Sequence, residues 1–249
     1  MSATALATAG HRDAATAGRR YVGWLAAGLS VAVATCDVAA HRRGLPPAAV
    51  FVALMAIVPC GVLGTRLLYW LADRRRLRRQ GRPFRDGGAM LVGGLPGLLA
   101  ASALVLPLVG LPFGAFWDVA VYGLFAGLAV SRFACLTRGC CCGRETAGRF
   151  ALRLPDTAGR VRRRIPTQLV EAAAGAALLG ALVAWQRPLD AWAPFDGALF
   201  VAGVAAYSAL RLALDPLRQP DGTAAIRRLQ TAAYLALLTV TCCALALAL

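Results

Sequence analysis

The stretch FGAFWDVAVYGLFAGLAVSRFACLTRGCCCGR, residues 113 to 144, decides how the whole chain is read. Residues 113 to 136 carry only two charges, Asp118 and Arg132, in a run long enough to cross a hydrocarbon core of about 30 Å as one helix. Directly after it come two more arginines, Arg138 and Arg144, two glycines, Gly139 and Gly143, and three consecutive cysteines, Cys140, Cys141 and Cys142. A membrane helix running into a cationic, tightly turning loop is the expectation this stretch sets.

Working outward, apolar windows of about 20 residues fall near 21 to 40, 48 to 72, 88 to 110, 166 to 185, 195 to 214 and 229 to 249. With residues 113 to 136 they make about seven transmembrane helices. The predicted fold is all-α, a polytopic membrane bundle forming a single integral membrane domain over residues 1–249. Composition agrees: of 249 residues 59% are hydrophobic and mean hydropathy is +0.61, too apolar for one soluble domain. Only Leu111 and Pro112 separate the third and fourth spans, which predicts a tight helical hairpin. The first span has no small-x-small processing site at its end and is read as a retained helix. The short run Val33 to Cys36 gives a small buried cysteine rather than a processing site.

The largest extramembrane piece is the loop 138–164. Phe150 to Leu154 and Arg160 to Arg162 have strand character around the turn chemistry of Pro155 to Gly159, so a small hairpin is expected. The connector Asp73 to Asp86 carries seven arginines, which suits a short amphipathic helix lying at the interface.

Net charge is +15, from 27 basic residues, all arginine, against 12 acidic ones. On a soluble chain that balance would suggest nucleic acid. Here it lies in connectors, so anionic lipid is the expected partner and nucleic acid is not. The N-terminus and the second, fourth and sixth loops hold 21 arginines against three on the other side, which by the positive-inside rule alone puts the fourth loop in the cytoplasm.

Three arginines lie inside apolar spans: Arg66, Arg132 and Arg211. A guanidinium in hydrocarbon costs roughly 3 kcal/mol on insertion scales, so such residues face a partner or a polar cavity, or snorkel to the interface. Arg66 divides evenly between these readings. Arg132 has Arg138 and Arg144 nearby, and Gly139 and Gly143 permit a turn that aims the three at one anion; guanidinium forks suit phosphate oxygens. Tyr207, Arg211, Asp215 and Arg218 recur at spacings of 4, 4 and 3 and would share one helix face if the helix continued, with Asp215 neutralising Arg211. At the start of the fifth helix, Thr167 or its neighbour is placed to cap, Pro166 suits a first turn, and Gln168 and Glu171 share a face. Glu171 enters the membrane and needs an arginine beside it.

Of eight cysteines, half lie in apolar helices as small hydrophobes. Cys135 with Cys140, Cys141 and Cys142 makes an awkward zinc set, because three ligands are adjacent and the usual C-x2-C spacing is missing. Tight packing between two glycines is preferred over palmitoylation or redox sensing, and no metal and no cofactor are expected.

These three segments, in this order, resemble the prolipoprotein diacylglyceryl transferase family over about 135 residues, from Gly87 to Asp221. That family shows Gly-Arg-x-Gly-Asn-x-x-Asn-Gly-Glu-x-x-Gly-Arg at the end of helix four, matched here by Arg132, Gly139, Gly143 and Arg144. Its Arg-His-Pro-Ser-Gln-x-x-Glu is matched by Pro166, Gln168 and Glu171. Its Tyr-x-x-x-Arg-x-x-x-Glu-x-x-Arg-x-Pro-Asp is matched by Tyr207, Arg211, Arg218, Pro220 and Asp221.

The resemblance implies a seven-helix enzyme of the bacterial cytoplasmic membrane. It would move the diacylglyceryl group of phosphatidylglycerol to the thiol of a lipobox cysteine in a preprotein, releasing glycerol phosphate. By it, Arg132 and Arg211 are the catalytic pair at the phosphate. Gly93, Gly94, Arg138, Gly139, Gly143, Arg144, Gln168, Glu171, Tyr207, Asp215 and Arg218 form the substrate-binding surround. It also places the fourth loop outside, the orientation expected here, since lipid-binding arginines add to the charge count without setting topology. The chain departs from the pattern where the family has His-Gly-Gly and this sequence has Val92-Gly93-Gly94, and where Cys135, Arg138 and Cys140 replace two asparagines and a glutamate. The alternatives are a divergent paralogue with another acceptor, and a non-catalytic membrane protein that binds anionic lipid or senses redox state.

Overall fold

A computed structural model describes residues 3–79, 91–219 and 224–248. Among them are eight α-helices and one antiparallel hairpin: α1 (Ala3–Arg42), α2 (Pro47–Arg79), α3 (Leu91–Leu108), α4 (Phe113–Arg138), β1 (Leu152–Pro155), β2 (Val161–Arg164), α5 (Thr167–Ala184), α6 (Gln186–Trp192), α7 (Ala198–Leu214) and α8 (Ala224–Ala248). Asp215–Leu217 adds a 3-10 turn directly after α7.

Six helices are long and apolar enough to cross a membrane: Gly18–Arg42, Pro47–Ala72, Phe113–Arg138, Thr167–Ala184, Ala198–Leu217 and Ala224–Ala248. The seventh expected span is a shorter apolar helix, Val92–Leu108. The architecture is thus an all-α polytopic membrane bundle. Large apolar side chains such as Leu104, Leu108 and Val240 point outward, as they do on a surface wetted by acyl chains rather than water.

Three sequence expectations change. α2 does not stop at the membrane edge to release a separate interfacial helix; it continues to Arg79, while residues 80–86 of that connector lie outside the described residues. Leucine and arginine are both good helix formers, so nothing in the run ends the helix. The short α6 was not foreseen. The loop hairpin is present, but its strands sit a residue or more later than read, with Leu152 opposite Arg164 and Pro155 opposite Val161.

The chain clusters into two compact units. One comprises Met1–Thr35, Tyr122–Gln186 and Pro216–Gln219. In it Gly28 of α1 lies so close to Ser131 of α4 that a Cβ would sit 3.2 Å from the serine backbone. Trp24 stacks on Phe133 at 5.1 Å between ring centres. Gly175 of α5 approaches the α4 backbone at Phe125 and Ala129 in the same way, both at 3.1 Å. Small residues at these crossings let helices approach where burial from water supplies no drive.

The second unit comprises Cys36–Val121, Arg187–Asp215 and Pro220–Leu249. Its α2–α3 crossing is glycine on both sides: a Cβ on Gly93 would lie 2.6 Å from the Gly64 carbonyl oxygen, and one on Gly97 would lie 2.7 Å from that of Cys60. Asp118, the acid inside α4, is used at the start of α7. Its carboxylate accepts from the Gly197 and Phe200 amides at 2.9 and 3.1 Å, and Arg43 stands 3.6 Å away. A carboxylate on the unsatisfied amides of a helix N-terminus is a stabilising arrangement, which accounts for an aspartate at this depth. Cys36 is buried, and its thiol donates to the Val119 carbonyl at 3.8 Å, in keeping with the packing role read from sequence.

Candidate functional site

Glu171, one turn into α5, is 1% exposed and holds two arginines. Arg132 Nε lies 2.7 Å from Oε2, and Arg218 Nη1 donates to Oε1 at 2.9 Å. The Arg132 N–H does not point along the line to its oxygen, so that pair is a charge contact more than an aligned hydrogen bond. Both guanidiniums belong to side chains only 13% and 12% exposed. The arginine that Glu171 was expected to need is therefore two arginines, from the end of α4 and from the segment after α7.

The backbone after α4 is shaped by positions that only glycine fills. Gly139 has φ +69, and a Cβ there would come within 2.5 Å of the Asp156 carbonyl oxygen. Gly143 lies against the Ile165 carbonyl with no room for a side chain. Between them Cys141 has φ 58, the single non-glycine residue with positive φ among the described residues. The side chains that open α5 fix this turn. Gln168 Nε2 donates to the Cys140 carbonyl and Thr167 Oγ1 to the Cys141 carbonyl, both at 2.9 Å. Thr167 thus spends its hydroxyl on the loop and does not cap α5, where Pro166 occupies the N-cap position without a side-chain bond. Gln168 Oε1 is buried with no hydrogen-bond partner among the described residues.

The thiols of Cys135, Cys140 and Cys141 come together, with all three sulfur atoms within 4.8 Å of one another. Arg132 Nη1 reaches Cys135 Sγ at 3.9 Å. The Cys141 thiol is held well below the ordinary thiol range, first because its two cysteine neighbours direct hydrogen bonds at it and then because Arg218 and Arg132 are close. The Cys140 thiol is pushed up by the same hydrogen bonds seen from the proton-holding side. Cys142 points away and donates to Gln219 Oε1 at 3.5 Å.

Arg164, at the end of β2, is a residue that sequence reading passed over. It is 1% exposed and sits among Glu145 (3.0 Å), Asp156 (3.3 Å) and Gln219 Oε1. Asp156 is drawn below the ordinary carboxylate range, chiefly by the Arg160 amide, with help from the Ala158 amide and the Arg160 guanidinium. Residues 217 to 219 are stitched to the loop by the backbone: Arg144 N donates to Leu217 O at 2.9 Å and Gln219 N to Cys142 O at 2.9 Å. Strand alternation gives no signal for Arg164, since β2 exposes its first three residues and buries only the fourth, which is not a period of two.

The three arginines of the opening stretch each make a contact of their own. Arg132 goes to Glu171, Arg138 lies over the Tyr21 ring at 4.9 Å, and Arg144 Nε donates to the Arg218 carbonyl at 3.3 Å. The single helix face drawn through Tyr207, Arg211, Asp215 and Arg218 also breaks, because the chain tightens to a 3-10 turn at Asp215. Asp215 accepts from Thr231 at 3.3 Å, while Arg211 lies over the Tyr234 ring at 5.5 Å beside Tyr207. Arg211 falls in the second unit. Gly93 and Gly94 line the α2–α3 crossing, Gly94 against Thr65 at 3.0 Å for an added Cβ. Arg66 is exposed on α2, as a snorkelling arginine would be. Pro220 and Asp221 lie outside the described residues.

The fold is that of a polytopic membrane protein, with two arginines sharing one buried carboxylate where helix four meets its loop. Among curated proteins none matches the chain. A family model, prolipoprotein diacylglyceryl transferase, matches residues 16–249. The chain belongs to that family, whose members are transferases of lipoprotein maturation.

Proposed function

We propose that this protein transfers the diacylglyceryl group of phosphatidylglycerol to the thiol of a lipobox cysteine, in a bacterial cytoplasmic membrane with the loop 138–164 on the outer face. The observation that carries the reading is the pair of guanidiniums, Arg132 and Arg218, held together on the buried Glu171 carboxylate, where fork-like donors suit the oxygens of one phosphodiester. In the reaction the acceptor sulfur attacks the glycerol carbon that bears the phosphate. The C–S bond forms, the C–O bond breaks, and the electron pair leaves with glycerol phosphate. Charge gathers on that phosphate in the transition state, and a guanidinium already in place stabilises it by an amount on the order of 3 kcal/mol.

Arg132 is the proposed polarising group. Arg211 takes the same role on the strength of its motif, and Arg218, Gln168, Arg138 and Arg144 belong to the binding surround. A second reading, transfer to a different acceptor, is favoured by one observation: Val92 stands where the family has a histidine. Protein in phosphatidylglycerol vesicles, given a lipobox peptide, is expected to add the diacylglyceryl mass to its cysteine. Arg132→Ala and Arg211→Ala are expected to lose the product. A wild-type protein that modifies no lipobox peptide while turning over phosphatidylglycerol with another thiol would move the assignment to the second reading.

A further inference from the structure

Cys135, Cys140 and Cys141 meet at one point for reasons that packing alone does not supply. Two of them are adjacent in sequence, and their side chains reach the same place because Cys141 adopts a left-handed backbone that non-glycine residues rarely accept. Gly139, also left-handed, turns the chain back toward Cys135 on the last turn of α4. Thr167 and Gln168 clamp the two cysteine carbonyls. The third cysteine of the run, Cys142, is kept out by its bond to Gln219.

We propose that these three thiols are the ligands of a thiophilic divalent ion of the zinc type, with its fourth position open to the acceptor thiol. Zinc–sulfur bonds of about 2.3 Å place tetrahedral sulfurs about 3.8 Å apart. Separations of up to 4.8 Å are within about 1 Å of that spacing. Three thiolates around a divalent ion carry one negative charge, and the Arg132 guanidinium stands beside them, with Nη1 3.9 Å from Cys135 Sγ.

Three protein ligands and one open position is the arrangement of zinc sites that do chemistry rather than hold structure. A thiol that coordinates such an ion gives up its proton to water and is held as thiolate. That is the activation the reaction needs, in a chain with valine at the histidine position. The sulfur then forms its bond to the glycerol carbon as the phosphate departs with the C–O electron pair. This role for the fourth position rests on the function proposed above; the metal site itself does not.

The test uses full-length protein in detergent, without donor lipid. Loaded with zinc, it is expected to retain about one ion per chain, and loaded with cobalt(II) to show thiolate-to-cobalt charge transfer and the visible bands of a tetrahedral ion. Cys140→Ser and Cys141→Ser are expected to weaken binding more than the 10–100-fold typical of losing an outer-shell partner, while Cys142→Ser keeps it. In wild-type protein, zinc should protect Cys135, Cys140 and Cys141 from alkylation, a reading that needs no variant to fold. A cysteine-containing lipobox peptide should shift the cobalt bands, and its serine counterpart should not.

Metal retained no better by wild type than by the triple serine variant, or protection falling on other cysteines, would overturn the site. Cobalt bands indifferent to the cysteine peptide would overturn the role of the fourth position. Transfer activity in metal-free protein would remove the role of the fourth position and leave the proposed function standing; a metal-loaded protein that never transfers would leave the metal site standing and remove the proposed function.

Discussion

Arg218 reaches Glu171 across 47 positions of sequence, Nη1 to Oε1 at 2.9 Å, and so shares with Arg132 a carboxylate that is 1% exposed. Removing one member of a buried ion group strands the others, at a cost of about 3–5 kcal/mol. Glu171→Gln, which leaves two guanidiniums facing each other, is expected to lower unfolding stability in detergent by that amount. Adding Arg218→Gln should return part of the loss, because it removes one of the stranded charges. A strictly additive double-mutant cycle would contradict the shared-carboxylate geometry.

Arg164 and its two acidic partners differ in burial, and the difference sets unequal outcomes. Glu145 is 59% exposed in its side chain and Asp156 only 6%. Glu145→Gln should change stability by less than about 1 kcal/mol, as exposed pairs do. Arg164→Met should be severely destabilising, because Asp156 then loses a buried countercharge. Thermal unfolding of the two variants side by side checks the order.

Gly139 and Gly159 both have positive φ, +69 and +76, but only at Gly139 does a Cβ meet anything. Alanine at either position carries the left-handed cost of about 1–2 kcal/mol. Gly139→Ala adds a collision with the Asp156 carbonyl, so it should fall well below Gly159→Ala in stability. Equal losses would show that the turn at Gly139 relaxes freely.

Asp156 gives the loop a pH dependence of known sign. Its folded pKa lies below the unfolded value, so its contribution is complete above the ordinary carboxylate pKa of about 3.9 and is lost as pH falls through the lower folded value. Wild type should therefore exceed Asp156→Asn in melting temperature at neutral pH, with the gap closing in acid. A gap that widens on acidification would reverse the assignment.

Much of the fold was legible because membrane helices declare themselves by length and apolarity. Residues 113 to 136 read as a span that the structure extends only to Arg138. Glu171 announced its need for a countercharge for the same reason, since a carboxylate at that depth has few tolerable states. What was not legible depended on which of several arginines would answer. Spacing put Arg218 on a helix face with Arg211, but a proline at position 216 and the 3-10 turn at Asp215 re-aim it, and no periodicity encodes that. Arg164 was hidden among neighbours of identical type, Arg162 and Arg163, and alternation would put Arg162 on its face although only Arg164 is buried. The three clustered thiols were discounted because adjacent ligands do not normally face one way; the left-handed Cys141 is the backbone state that makes them do so.

The stitching of residues 217 to 219 onto Cys142, Arg144 and Arg164 has a consequence for the order in which the protein is made. When the ribosome has finished α5, Glu171 has met Arg132 alone, and the turn after α4 still lacks the strip of backbone that pairs with it. Those partners emerge only after α7 has been synthesised and threaded. A nascent chain halted before Pro216 would therefore hold the turn through Thr167 and Gln168, without the backbone strip that closes over Cys142 and Arg144.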